Sequence, residues 1–262
     1  MKYLNQTIFI LTIFLFTNCA YAQSPTPELI KSYAPLISEK SLSKNSHLDK
    51  YAGNDFSGVW NHSQKDEYLG FIGDNFHRIR VKILSAVKDK EKLQTYTVEG
   101  KTAIDNEIKS FQGTFRIKEV KLFTEMRWGA DDEYKNRSIK AQGVLIGEYK
   151  LYQDRNLKNS GSFEGVLSAL WYLTDEGEVK FDNIEFDADP YKNNQFIGTW
   201  TKYDGTKKLR SNWGDYRIPD SGDLDVGVGE FSPNSKYLKN GWMSYAENVH
   251  QIEKDVFDWS SR

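Results

Sequence analysis

The triplet Phe-x-Gly recurs five times, as Phe56-Ser57-Gly58, Phe71-Ile72-Gly73, Phe111-Gln112-Gly113, Phe163-Glu164-Gly165 and Phe196-Ile197-Gly198. Residues two apart on a strand share a face, so each copy sets a large ring beside a position with no side chain, where a bend or a close backbone approach is unhindered. The copies are unevenly spaced, which excludes a solenoid, whose repeats keep a fixed period. Phe71-Ile72-Gly73 runs directly into Asp74-Asn75 and reads as a turn, whereas the other four copies read as strand.

The surrounding sequence repeats the same phase. Ile79, Val81 and Ile83 alternate with Arg78, Arg80 and Lys82, a period of two with one apolar and one wet face. Phe111, Gly113, Phe115 and Ile117 share a face. So do Ala141, Gly143, Leu145, Gly147, Tyr149 and Leu151, and so do Phe163, Gly165, Leu167, Ala169, Trp171 and Leu173. Long runs of this kind are half-buried antiparallel strands. Turn-rich stretches part them at 88–92, 130–136, 154–161 and 174–177. Eight strands are expected between Phe56 and Tyr203, enough to close a barrel or to stack two sheets, and glycines inside them favour strong curvature. The expected fold is therefore mainly β: a curved antiparallel sheet forming a barrel or sandwich, with a short N-terminal tether and a C-terminal loop plus helix.

The N-terminus reads differently. Lys2 precedes the short apolar run Ile8-Phe9-Ile10-Leu11-Thr12-Ile13-Phe14-Leu15-Phe16, and Ala20-Tyr21-Ala22 offers small residues before Gln23. A charged start, a short apolar core and an A-x-A site form a secretory signal peptide, and the run is too short for the ~20 residues of a membrane-spanning helix. Residues 1–22 are thus expected to be removed after Ala22, giving a periplasmic or secreted protein of bacterial type. The alternative is a lipoprotein anchored at Cys19, although Phe16, Thr17 and Asn18 lack the small residue such a site wants. Cys19 is the only cysteine, so a chain cut after Ala22 holds no disulfide and must rely on its core. Residues 23–54, with Pro25, Pro27 and Pro35 and a Ser/Lys/Asn-rich end, read as a tether with room for a short helix over 28–37. Residues 55–262 read as one β-rich globular domain. No transmembrane span is expected after signal cleavage. The balance of 35 Lys plus Arg against 37 Asp plus Glu gives no broad field for nucleic acid, so none is expected as partner.

At Phe56-Ser57-Gly58-Val59-Trp60 the start of the β domain resembles the Gly-x-Trp opening strand of calycins, the lipocalin-like and avidin-like barrels. The likeness covers five residues, and Gly198-Thr199-Trp200 repeats the pattern near the end of the strand region. It implies a barrel with a cavity for a small ligand and a floor role for Trp60.

Binding residues concentrate on loops held by a rigid scaffold. The densest polar and aromatic stretch, 211–231, has no clean period and reads as a long loop. Its Trp213 and Tyr216 offer flat faces, and Asp215, Arg217, Asp223, Asp225 and Glu230 offer hydrogen bonds, a mixture suited to a sugar ring or to a partner's polar surface. The bland alternative is that Trp213 packs on the core and Arg217 pairs with Asp215 or Asp220 to hold the loop. Asp220, Asp223, Asp225 and Glu230 lack the spacing of a calcium loop. The histidines 47, 62, 77 and 250 are scattered, with no H-E-x-x-H, so no metal or other cofactor is expected. Gly161-Ser162-Phe163-Glu164-Gly165 lacks the G-x-S-x-G of a nucleophile elbow. In the tail, Tyr245, Val249, Ile252 and Val256 are spaced as a helix that packs over a barrel end.

No catalytic set stands out. The reading is an exported, non-enzymatic binding or interaction protein of the bacterial envelope, with a small molecule, a glycan or an envelope protein as partner. Two alternatives stay open: a periplasmic immunity or inhibitor protein, and an enzyme acting on a carbohydrate or lipid through carboxylates of the 211–231 stretch.

Overall fold

The computed structural model describes residues 41–61, 67–189, 191–249 and 257–260. Its strands are β1 (Tyr68–Ile72), β2 (His77–Lys88), β3 (Thr95–Ile104), β4 (Glu107–Leu122), β5 (Ile139–Gln153), β6 (Gly161–Thr174), β7 (Val179–Phe181), β8 (Asn193–Lys202) and β9 (Lys208–Asp215). Antiparallel pairing follows chain order from β1 to β6, passes to β8 and β9, and returns from β9 to β1. Eight strands therefore close a barrel, and no edge is left in the ring. β7 stands outside it, pairing with Trp171 to Leu173 of β6 beyond the stretch that β8 covers.

An eight-stranded barrel has an interior just wide enough for side chains to fill. Here the filling is aromatic. Tyr68, Tyr96, Phe111, Phe115, Tyr149, Phe163, Phe196 and Trp213 belong to one buried cluster. Trp213 stacks on Phe196 at 5.2 Å and meets Tyr149 and Phe163 edge-on at 5.1 and 5.7 Å. Edge-to-face contacts of this kind add to the large area each ring buries.

Glycine makes room for the rings. Phe111 of β4 lies opposite Gly100 of β3, and a Cβ at Gly100 would run into that ring. Gly113, two residues on, lies so close to β5 that a Cβ would meet the Lys150 carbonyl. Three of the four Phe-x-Gly copies read as strand thus do the work expected of them, in β4, β6 and β8.

The copy at Phe56 does not. Phe56 to Trp60 is no opening strand: it leads into a helical turn, α2 (Ser57–Asn61), after a shorter one, α1 (Leu48–Tyr51). Asp55 Oδ1 accepts the Ser57 amide at 2.9 Å, a cap that favours helix over strand. This segment closes one barrel end. Trp60 enters between Tyr96 and Phe115 at 5.0 and 5.1 Å, and the Asn61 side chain pairs with the Ala86 backbone of β2. At the other end the Gln153 carboxamide accepts from Gly161 N and Trp200 Nε1 and donates to Thr102 Oγ1. The first described residues run along β4, where Ser43 N donates to the Leu122 carbonyl and His47 N to that of Val120.

The outer wall is largely covered too. Arg78 and Arg80, expected on a wet face, are 5% and 7% exposed. The C-terminal segment lies on them: Arg78 sits over the rings of Trp242 and Tyr245, and Arg80 over Phe257. Glu67 meets both guanidinium groups. The tail helix, α3 (Met243–Val249), therefore packs on the barrel's flank and not over its end; Ile252 and Val256 lie outside the described residues, as do residues 28–37, where a short helix is expected. A second outer layer covers Val144, Ile146, Val166, Leu170 and Ile197, which is why β5 and β6 are buried on both faces.

Gly113→Val is expected to destabilise the protein by about 3 kcal/mol or more, because the added atoms meet backbone. Gly53→Ala, where a Cβ meets nothing within 4 Å, should stay within about 0.5 kcal/mol of wild type, and urea titrations of both variants measure the difference.

Candidate functional site

Beyond β9 the chain turns sharply at Tyr216, which takes a left-handed φ of 65°. That conformation is unusual for a residue with a Cβ and marks a backbone held by its surroundings. Tyr216 packs edge-on against Tyr191 at 4.8 Å. Around this pair, the 182–191 loop and the 216–231 stretch enclose a groove of about 490 Å³, lined by Phe186, Asp187, Asp189, Tyr216, Arg217 and Glu230 among others. Small-molecule sites commonly occupy about 300–1,000 Å³.

The seven residues singled out in the sequence separate into three sets. Tyr216, Arg217 and Glu230 line the groove. Trp213 and Asp215 do not: residues 208–215 are strand, and both side chains are 1% exposed. The loop thus begins at residue 216, five residues later than the sequence suggests. Trp213 is part of the ring packing inside the barrel. Asp215 accepts from Asn194 Nδ2 at 3.0 Å, and the same nitrogen donates to the Val59 carbonyl of α2, so this carboxylate helps fix the barrel's closed end.

Asp223 and Asp225 are held within the loop. Asp223 pairs with Lys236 and accepts from Tyr237 Oη at 2.8 Å. Its carboxyl is pulled below the usual range, first by Lys236. Asp225 Oδ1 accepts the amides of Gly227 and Ser232, and its Oδ2 accepts from Arg217 Nη1 at 2.7 Å. Arg217 also donates to the carbonyls of Gly227, Val228 and Gly229. It therefore holds the loop, through Asp225 and not through Asp215 or Asp220; Asp220 pairs with Arg210. The brace fixes a hairpin tip on which Val226 and Val228 are exposed.

The facing wall contains residues that the sequence did not mark: Phe186, Asp187, Asp189 and Tyr191. Their Asp-Ala-Asp-Pro context reads only as turn. What holds them is a buried polar knot at the loop's two ends. Asn193 Oδ1 accepts the Leu170 amide at 2.7 Å, and its Nδ2 donates to the Asp182 carbonyl, which also accepts from Tyr191 Oη. The Asp182 carboxylate accepts from Ile184 N and Gln142 Nε2. Burial nevertheless pushes its pKa up to about 6, against the pull of the Ile184 amide and of Arg127 and with a push from Glu185.

Lys192, beside Arg217, has its ammonium pKa lowered, first by burial and then by that neighbour. Among the described residues no three His, Cys, Asp or Glu side chains gather as a metal site, and His77 pairs with Asp105 at 3.1 Å. A second cavity, of about 410 Å³, opens between β2 and the tail beside Arg78 and Arg80. Compared with protein-family models, curated proteins and solved structures, the chain finds no match.

Asp182 gives a pH dependence with a definite sign. Its carboxyl holds a proton more tightly folded, at about 6, than at the ordinary 3.8, so this group's stabilising effect is full below about pH 4 and fades as pH rises through 6. The unfolding free energy of the wild type relative to Asp182→Asn should fall by on the order of 2 kcal/mol between pH 4 and pH 7. Paired urea titrations at those pH values measure the difference.

Proposed function

We propose that the protein is an exported, non-enzymatic binding or interaction protein of the bacterial envelope, and that it takes its ligand or partner on the outer flank, in the groove beside Tyr216. The observation that carries this reading is the filled barrel: Trp213, Phe196, Tyr149 and Phe163 are in ring contact where a ligand cavity would lie. The groove, by contrast, is open, has aromatic and charged walls, and rests on two loops braced by Arg217 and Asp182. Preformed walls of this kind lower the ordering cost of binding. We carry the calycin likeness as part of the same proposal. Strands that pair in chain order and a buried Trp60 are compatible with it, and the ring-filled interior is where this barrel departs from what the likeness implies.

Immobilised protein is expected to retain a specific component of an envelope extract without turning it over, and Tyr216→Ala should weaken that retention at least tenfold in protein that circular dichroism shows to be folded. Hydrolysis of envelope glycans, peptides or lipids that is abolished by Glu230→Ala in a folded protein would refute the non-enzymatic reading. Export makes a separate prediction. Mass spectrometry of the protein from an envelope fraction should find Gln23 as the first residue, and labelled fatty acid on Cys19 would favour the anchored form instead.

A further inference from the structure

Three carboxylates around the groove have no cationic partner among the described residues. Asp187, Asp189 and Glu230 are exposed and form no ion pair among the described residues. The positive charge that belongs to the groove, on Arg217, is taken up by Asp225 and three loop carbonyls. With Lys192 beside it, and with Asp215 and Arg78 acting on tyrosines of the groove, the neighbourhood holds five carboxylates against three cations. Rings line the same groove: Phe186 is 37% exposed and makes no ring contact among the described residues, Tyr191 and Tyr216 are packed edge to face, and Phe231 and Tyr245 add two more. Burial is the first influence on the two phenols, and these charges act on them second. The Tyr216 hydroxyl is raised above its ordinary value, first by burial and then by Asp215 and Asp187. That of Tyr245 is pushed up to about 12, first by burial, with Arg78 opposing and Glu230 and Asp225 adding.

From the groove's shape, ring lining and unpaired carboxylates, we infer that it binds a cationic group on an aliphatic stem, an alkylammonium or alkylguanidinium. Ring faces attract a cation through their quadrupole and pack against its methylenes, and carboxylates at the rim supply the opposite charge. Anionic and acidic glycan ligands are disfavoured by the same charges. This rests on the groove being the binding site, and it adds the chemical class of the ligand. The chemistry has two sources, a free polyamine or a lysine or arginine side chain of a protein partner.

Isothermal titration with spermidine, with a short acetylated and amidated peptide carrying two lysines, and with that peptide Nε-acetylated decides the matter. At least one cationic probe is expected to bind with Kd below about 1 mM. Asp187→Asn/Asp189→Asn should weaken it tenfold or more, as should raising salt from about 0.15 M to about 1 M, where screening is far stronger. Neither aspartate makes a hydrogen bond or ion pair in the described structure, so the double variant should keep the wild-type melting temperature. Tighter binding of spermidine would point to a free polyamine, and tighter binding of the lysine peptide to a protein partner. The inference is overturned if neither cationic probe binds below about 1 mM, if the Nε-acetylated peptide binds as well as its parent, or if the double variant binds unchanged. Retention of an envelope component that is still lost on Tyr216→Ala, with no response to these cations, would overturn the ligand class and leave the groove as the site. Retention indifferent to Tyr216→Ala would remove the site itself.

Discussion

Rings packed against glycines inside a closed ring of strands are the constraint on which everything else in this molecule depends. A barrel of eight strands has a fixed bore, and its interior must be filled to the density of a solid or it loses contacts throughout. This chain fills it with tryptophan, tyrosine and phenylalanine. That choice requires positions without side chains opposite the largest rings, as at Phe111 and Gly100, and strands that approach as closely as β4 does β5 at Gly113. Some of the rings also make polar contacts, as Tyr96 Oη does with Phe56 N and Trp200 Nε1 with Gln153, while others pack for volume and geometry alone. The indole N–H groups of Trp60, Trp171 and Trp213 find no hydrogen-bond partner among the described residues.

A barrel so filled displaces function to its outside. Both ends are closed, one by Trp60 and the Asn194–Asp215 pair, the other by the Gln153 carboxamide. The wall then becomes a platform for two outer layers, one over β5, β6 and β8 and one over β1 and β2. The loops of those layers meet at Tyr216. Their anchors are buried or largely buried polar groups, each with several partners, and such groups hold a single geometry because any shift leaves one of them unsatisfied. Asp225, Asp182 and Asn193 all serve in this way, which makes them determinants of the groove's shape although they are not its surface.

How far the sequence discloses this depends on the range of the interactions. The inward faces of β4, β5 and β6 are legible residue by residue, because period-two alternation is a local property and the core respects it. Phe56 to Trp60 looks like strand by composition and is helical, because the Asp55 side chain caps Ser57 and Trp60 must enter the barrel end. β9 escapes notice for the opposite reason: Ser-Asn-Trp-Gly-Asp has low strand propensity, and what makes it a strand is that β1 and β8 would each keep an open edge without it. Of the site, Tyr216, Arg217 and Glu230 are found from their loop context, whereas Phe186, Asp187 and Asp189 are not. They lie more than twenty residues earlier in the chain, and only the folded loops bring them opposite.

The sequence by itself determined an antiparallel, glycine-bent, ring-rich sheet and its inward face, since alternation and side-chain volume act between neighbours in the chain. The tertiary structure decided the rest. Closure of β9 on β1 made the sheet a barrel and put Trp213 inside it. Packing of the tail turned Arg78 and Arg80 from a wet face into a buried one. Pairing then sorted the acids of the 215–230 stretch into four that hold the fold and Glu230, left facing the groove, because which carboxylate meets which partner is set by distances that no local pattern records.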